Sequence, residues 1–109
     1  MSQRVAKVES LIQQVVAVAA TELLGPDAAR VTVTRVDAAP DLRNATVWFG
    51  LLGNDGQQAA LLAALQRQHG EFQAALGARM MTKFVPHLHF RHDTGGEYAA
   101  EIDRLLKGL

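Results

Sequence analysis

Three histidines in the last quarter of the chain have the residue type and spacing that metal coordination requires. His87 and His89 alternate, so a strand would project both imidazoles to one side, and imidazole is a common zinc ligand. His92 has the opposite parity and would need a bend to join them, while Asp93 could add a carboxylate. Alternatively, these are solvated polar residues on an open sheet face. We favour this second interpretation and expect no bound metal.

No nucleophilic, acid–base or phosphate-binding motif is evident in the rest of the sequence. The chain has no cysteine, and both of its serines, Ser2 and Ser10, fall in the first predicted helix. Glu101 and Asp103 are two residues apart, so on a helix they face different ways. No glycine-rich loop follows a strand in the pattern of nucleotide-binding proteins. We therefore predict that the protein is not an enzyme and has no small-molecule substrate.

Basic residues are concentrated in one part of a chain that is neutral as a whole. The 109 residues contain 11 lysines and arginines against 11 aspartates and glutamates. Between positions 67 and 92, four basic residues stand against one acid, Glu71, and all four histidines lie there. A local positive charge of this kind attracts anionic partners, whereas the neutral total argues against a protein that coats polyanions. The excess of basic residues between positions 67 and 92 is therefore the first indication of a functional surface.

The elements that must position these residues follow from hydropathy and breaker residues. Apolar residues at steps of three and four predict the first helix, which Gly25 and Pro26 end. β-branched and alternating segments predict the strands, and Gly70 interrupts a helical pattern, which predicts a kink. The predicted elements are a helix over 2–24, strands over 31–36 and 45–51, a helix over 57–68 that resumes beyond Gly70, a strand over 83–90 and a helix over 97–106.

This order predicts a single α+β domain over residues 1–109, with helices on one face of the sheet and the other face open. No apolar run approaches the length of about 18 residues that a membrane span needs, and the N-terminus lacks a signal-peptide core. We expect a cytoplasmic protein with no membrane partner. The open face would carry mostly polar side chains and one aromatic residue: Thr32, Thr34, Thr46, Trp48, His87, His89 and Arg91.

Several motifs in order resemble the ribosome-binding factor A family of bacterial small-subunit assembly factors. The segment 31–37, read as Val-Thr-Val-Thr-x-Val-Asp, matches the family's first strand, and 40–47, read as Pro-Asp-Leu-Arg-x-Ala-x-Val, matches its turn and second strand. The segment 86–93, read as Pro-x-Leu-x-Phe-x-x-Asp, is the most recognisable. Smaller matches are Arg4-Val5, Leu65, Gly70, Leu76-Gly77, Ile102, Leu105 and Leu106.

The resemblance implies a type II KH-like fold in which an inter-helix kink replaces the G-x-x-G loop. It also implies a protein without catalytic activity or cofactor that binds the 30S subunit and its 16S rRNA, assists late maturation including 5′-end processing by other enzymes, and supports growth in the cold. We expect a monomer. The family's kink reads Ala-x-Gly where this chain has Gln68-His69-Gly70, and its usual arginine three residues later is Gln73.

On this interpretation the basic region and the kink contact RNA, through phosphates and A-form shape rather than base sequence. A rival interpretation is a protein–protein interaction module that uses the open face and Trp48, and a less favoured one is a metal-binding protein on His87, His89 and His92. The candidate RNA-binding residues are Arg43, Arg67, His69, Gly70, Arg79, Lys83 and Arg91.

Overall fold

A computed structural model describes residues 3–95, and its elements follow the predicted order. The predicted helix over 97–106 lies outside the described residues. The elements are α1 (Gln3–Leu24), a 3-10 helix (Gly25–Arg30), β1 (Val31–Ala38), β2 (Asn44–Leu51), α2 (Asp55–Arg67), α3 (His69–Arg79) and β3 (His87–His92).

The three strands form one sheet in the order β1-β2-β3. β1 and β2 are an antiparallel hairpin, whereas β3 runs parallel to β2, which requires the α2–α3 crossover between them. The third strand begins at His87 and not at Lys83 as predicted. Its pairing starts where the His87 N–H donates to the Arg43 carbonyl (2.9 Å), at the beginning of β2, and the residues before Pro86 have no strand to pair with.

The helices cover one face of the sheet and leave the other open, as predicted. Alternate residues of β2 are buried, and the Phe90 ring lies nearly perpendicular to the rings of Phe49 and Phe72, with ring centroids 5.3 Å apart in both pairs. α1 supplies Ile12 and Val16, which are fully buried in the same hydrophobic core as these three rings. The core therefore lies between the sheet and all three helices.

The first helix is long and apolar enough to cross a membrane when judged by length and composition alone. α1 meets this criterion through its average hydropathy and not through an unbroken apolar run, which it lacks as predicted. Such evidence is weak, since the core helix of a soluble protein passes the same test. Here one face of α1 is buried in the domain core, and Glu9 on this helix accepts a hydrogen bond from the Ala38 N–H (2.9 Å) at the end of β1.

The junction between α2 and α3, here called the elbow, is formed by Gln68 and not by Gly70. Gln68 leaves the helical conformation with φ −98° and ψ 15°. Its carbonyl accepts hydrogen bonds from the N–H groups of Glu71 (3.0 Å) and Phe72 (3.2 Å), which starts α3. Gly70 lies inside α3, and a Cβ placed on it would meet no atom within 4 Å. The prediction that Gly70 holds the kink is therefore wrong, because nothing at that position requires glycine.

Side chains from the helices satisfy the outer edge of β3. Leu88 and Phe90 direct their backbone groups away from β2, so these groups need partners outside the sheet. The Gln73 amide donates to the Pro86 carbonyl (2.7 Å) and accepts from the Leu88 N–H (3.0 Å), as another strand would. At the same edge, the His69 Nε2–H donates to the Leu88 carbonyl (2.6 Å), and the Gln66 side-chain amide donates to the Phe90 carbonyl (3.2 Å).

We predict that Gly70→Ala leaves the fold intact and raises its stability by up to about 1 kcal/mol, because alanine has the higher helix propensity and the added methyl group meets open space. Thermal unfolding of the two proteins measures this. A clearly lower midpoint for the variant would mean that the elbow does depend on glycine.

We predict that Gln73→Met lowers the free energy of unfolding by about 1–3 kcal/mol, because the edge of β3 loses a donor and an acceptor at a partly buried place. Gln14→Met on the exposed side of α1 is the matched control and should change stability by less than about 0.5 kcal/mol. Urea unfolding measures both. Equal effects would show that water replaces the Gln73 amide without loss.

Candidate nucleic-acid interface

The predicted RNA-binding residues lie in three places on the molecule. Arg67, His69 and Gly70 are at the elbow, and Arg91 is on the open sheet face. Arg43 and Lys83 line one groove, and Arg79 ends α3 just before Met80, which also lines that groove. A single continuous region in the sequence is therefore divided by the fold.

At the elbow, only part of the predicted set is available to a partner. Arg67 and Gly70 are exposed. His69 is partly buried, its Nε2–H donates to Leu88, and its ring lies 5.3 Å from that of Phe90. Because a carbonyl only accepts, this hydrogen bond places a proton on Nε2. His69 thus joins α3 to β3 through its Nε2–H, and this N–H is not available to donate to RNA.

A second place is an open groove of about 880 Å³, here called the basic groove. It forms where the β1–β2 connection, the start of α1 and the segment between α3 and β3 meet. Arg4 lines it together with Arg43 and Lys83, and among residues 3–95 the only carboxylate on its wall is that of Asp41. The remaining lining residues are Val8, Leu42, Met80, Thr82, Phe84, Val85 and Pro86.

Hydrogen bonds fix the wall of the basic groove that carries Arg43. The Asp41 carboxylate accepts from the Arg43 N–H (3.1 Å), and the Ala39 N–H donates to the Asn44 carbonyl (2.8 Å) across the turn. Leu42 has φ 60°, a left-handed conformation that is uncommon for a side chain of this type. Within residues 3–95, the side chains of Arg43 and Lys83 have no ion-pair partner, so both cations can meet an anion.

The open sheet face carries a more ordered arrangement than the sequence predicted. Trp48 lies between two guanidinium groups, with Arg91 5.4 Å and Arg35 6.0 Å from its ring centroid. Its Nε1–H donates to Asp37 (3.2 Å), which also forms an ion pair with Arg35 (2.8 Å). A register shift between Val33 and Arg35 places Arg35 opposite Trp48. Alternation alone could not predict this, because an irregularity in β1 reverses its parity.

The histidines do not assemble into a metal centre in the part of the chain that the structure describes. Within residues 3–95, no three histidine, aspartate or glutamate side chains gather closely enough to hold an ion. His87 and His89 share a side, with ring centroids 4.8 Å apart, as predicted. His89 instead hydrogen bonds to the Asn44 side chain (2.9 Å), and Asp93 accepts from Thr34 (2.7 Å).

The environment of Asp93 lowers the pKa of its carboxyl below the ordinary value of 3.8. The hydrogen bond from the Thr34 hydroxyl is the largest cause, followed by the Gly95 N–H, and partial burial opposes both. The nearby charges of His92 and Arg35 add smaller contributions in the lowering direction. Asp93 therefore ties the end of β3 to β1 in its ionised form.

We predict that Asp93→Asn destabilises the protein more at pH 7 than at pH 3. A carboxyl whose pKa is lower in the folded state stabilises fully above its unfolded pKa, and this stabilisation is lost as the pH falls through the folded pKa. Urea unfolding of both proteins at the two pH values measures the difference. Thr34→Val should reduce the same pH dependence, and a gap that is constant from pH 3 to pH 7 would contradict this account.

The order helix, strand, strand, helix, elbow, helix, parallel strand, with one open sheet face, defines a type II KH-like protein. The family model described as ribosome-binding factor A matches residues 4–106. The chain belongs to the ribosome-binding factor A family.

Individual relatives agree with this assignment. A ribosome-binding factor A from Thermomicrobium roseum is 36% identical over 101 residues, which cover 93% of this chain and 78% of the relative. The solution structure of a candidate ribosome-binding factor A from Thermotoga maritima is 28% identical, with a TM-score of 0.73 over 87% of this chain and 92% of that one.

A third similar structure is a homology model of Thermus thermophilus ribosome-binding factor A, fitted into a cryo-electron microscopy map of a 30S complex. It is 21% identical, with a TM-score of 0.57 over 84% of this chain and 93% of that one, and at this identity it supports the fold alone.

Proposed function

We propose that this protein is a non-catalytic assembly factor that binds the 30S ribosomal subunit through its 16S rRNA. Membership of the ribosome-binding factor A family supports this, and the Thermus thermophilus homologue has been placed in a 30S complex. The observation that carries the proposal is that Arg43 and Lys83 line the same groove. Neither side chain has an ion-pair partner within the described residues. The protein acts in the cytoplasm during late maturation, including 16S 5′-end processing by other enzymes, and supports growth in the cold.

Electrostatics favour a small contact area on the RNA. A chain with no net charge cannot attract a polyanion over its whole surface, so the attraction must come from a local patch. We propose that Arg43 and Lys83 contact phosphates, with Arg79 beside them and with Arg67 and Gly70 as a second contact at the elbow. His69 contributes by holding the elbow against β3, because its Nε2–H is already donated to Leu88.

A second candidate function is protein binding at the open sheet face. The observation in its favour is the placement of Trp48 between Arg35 and Arg91, which presents a pre-ordered aromatic and cationic surface. The charges on this face partly cancel, since Asp37 pairs with Arg35. We therefore assign Arg91 to this face as a candidate contact, and RNA binding to the basic groove.

We predict that the double variant Arg43→Glu/Lys83→Glu loses most of its co-sedimentation with purified small subunits. Both residues are exposed, so the free energy of unfolding should change by less than about 0.5 kcal/mol per substitution. Arg30→Glu, at the exposed end of the 3-10 helix and outside the groove, is the matched control and should bind almost normally.

Salt titration gives this prediction a second measurement. With about three to five phosphates neutralised, wild-type affinity for RNA should fall about 40- to 500-fold between 50 and 200 mM salt. The plot of log affinity against log salt concentration should be less steep for the double variant, by the contribution of about two phosphate contacts. Intact folding with unchanged sedimentation would mean that the subunit meets another surface, and Arg67→Glu and Arg91→Glu then separate the elbow from the open face.

A further inference from the structure

The segment between α3 and β3 presents an unusual pair of apolar side chains to solvent. Phe84 is 74% exposed and Met81 98% exposed. A single exposed apolar residue is ordinary, but here the aromatic ring lines the basic groove. An apolar ring at the wall of a cationic groove suits a ligand that has both apolar and anionic parts.

Neighbouring contacts hold the backbone that carries Phe84. The Thr82 hydroxyl donates to the Phe84 carbonyl (2.9 Å), and Pro86, two residues later, is buried. The Pro86 carbonyl accepts from the Gln73 amide (2.7 Å), which connects the segment to α3. The ring is therefore offered to solvent from a fixed backbone, which lowers the entropy lost when a ligand binds.

Charge and volume indicate which ligand this is. The Lys83 ammonium lies 5.6 Å from the Phe84 ring centroid, and Arg43 lines the same groove. A cationic groove that follows a backbone, with an aromatic ring on which a base stacks, is how proteins bind single-stranded nucleic acid. The volume of about 880 Å³ is within the range of pockets that enclose small organic molecules, so a nucleotide has room to enter.

We propose that Phe84 stacks on an unpaired RNA base while Arg43 and Lys83 hold the adjacent phosphates, so that the groove selects single-stranded rRNA. Bases in an A-form duplex already stack on each other, and their faces are not available to a side chain. The sequence predicts instead that the protein recognises the A-form shape of double-stranded RNA. The stacking proposal rests on the proposed function, because it names the form of RNA that the same groove binds.

The test compares oligonucleotide affinities by fluorescence anisotropy. The probe is a labelled oligouridylate of about 12 nucleotides, in single-stranded form and as a duplex with its complement. Phe84→Ala should weaken single-strand binding by about 5- to 140-fold, the loss of one base–aromatic stack, and should leave duplex binding unchanged. Phe84→Trp should retain binding. Leu52→Ala, which removes another exposed apolar side chain (64%) outside the groove, is the matched control.

Two further measurements keep the outcomes distinct. Thermal melts should show that Phe84→Ala folds normally, since the ring is largely exposed. Trp48 is the chain's single tryptophan and lies on the open face, so its emission should not be quenched by the oligonucleotide. Equal single-strand affinity for wild type and Phe84→Ala, or absence of single-strand binding by the wild type, would overturn the stacking proposal. In the first case, quenching of Trp48 would place the bound strand on the open face instead.

Small-subunit sedimentation separates this failure from that of the proposed function. If Arg43→Glu/Lys83→Glu abolishes sedimentation while Phe84→Ala binds both oligonucleotide and subunit normally, the groove binds RNA without stacking. If the double variant sediments normally, the proposed function itself is wrong for this groove.

Discussion

The outer edge of β3 imposes the constraint on which the rest of the structure depends. A strand that is paired on one side only leaves backbone groups that must find other partners or remain hydrated. Gln73 pairs with this edge as a strand would, and His69 and Gln66 satisfy two further carbonyls. All three side chains come from α2 and α3, so the elbow is held against the sheet edge by polar contacts as well as by the core.

This attachment also determines where the basic groove forms. β3 enters the sheet beside the start of β2, where the His87 N–H meets the Arg43 carbonyl. The preceding segment therefore lies beside the β1–β2 connection, and the Pro86 carbonyl ties it to α3 by accepting from Gln73. As a result, Lys83 and Phe84 line the same groove as Arg43, although about 40 residues separate them along the chain. The surface proposed to bind RNA is thus a consequence of how the edge strand is completed.

Two surfaces with different physical character result from the same sheet. On the open face, Asp37 forms an ion pair with Arg35, and the Trp48 ring lies beside Arg35 and Arg91, so the positive charge is partly compensated within the protein. In the basic groove, Arg43 and Lys83 have no such compensation within residues 3–95. An uncompensated cation gains more from a phosphate than one that must first give up a carboxylate. This difference is the reason for assigning RNA to the groove and not to the tryptophan.

The sequence by itself determined the order of the elements, the elbow's approximate place, the buried alternation of β2 and the family. These depend on local periodicity and on breaker residues, which neighbours in the chain specify. Tertiary structure decided that Gln68 and not Gly70 forms the elbow: Gln68 leaves the helical conformation where its side-chain amide donates to the Leu23 carbonyl (3.4 Å), 45 residues earlier at the end of α1. It also decided that His69 serves β3, and that Arg4 and Phe84 join Arg43 and Lys83. Contacts between residues far apart in the chain leave no periodic signal, so only the folded arrangement reveals them.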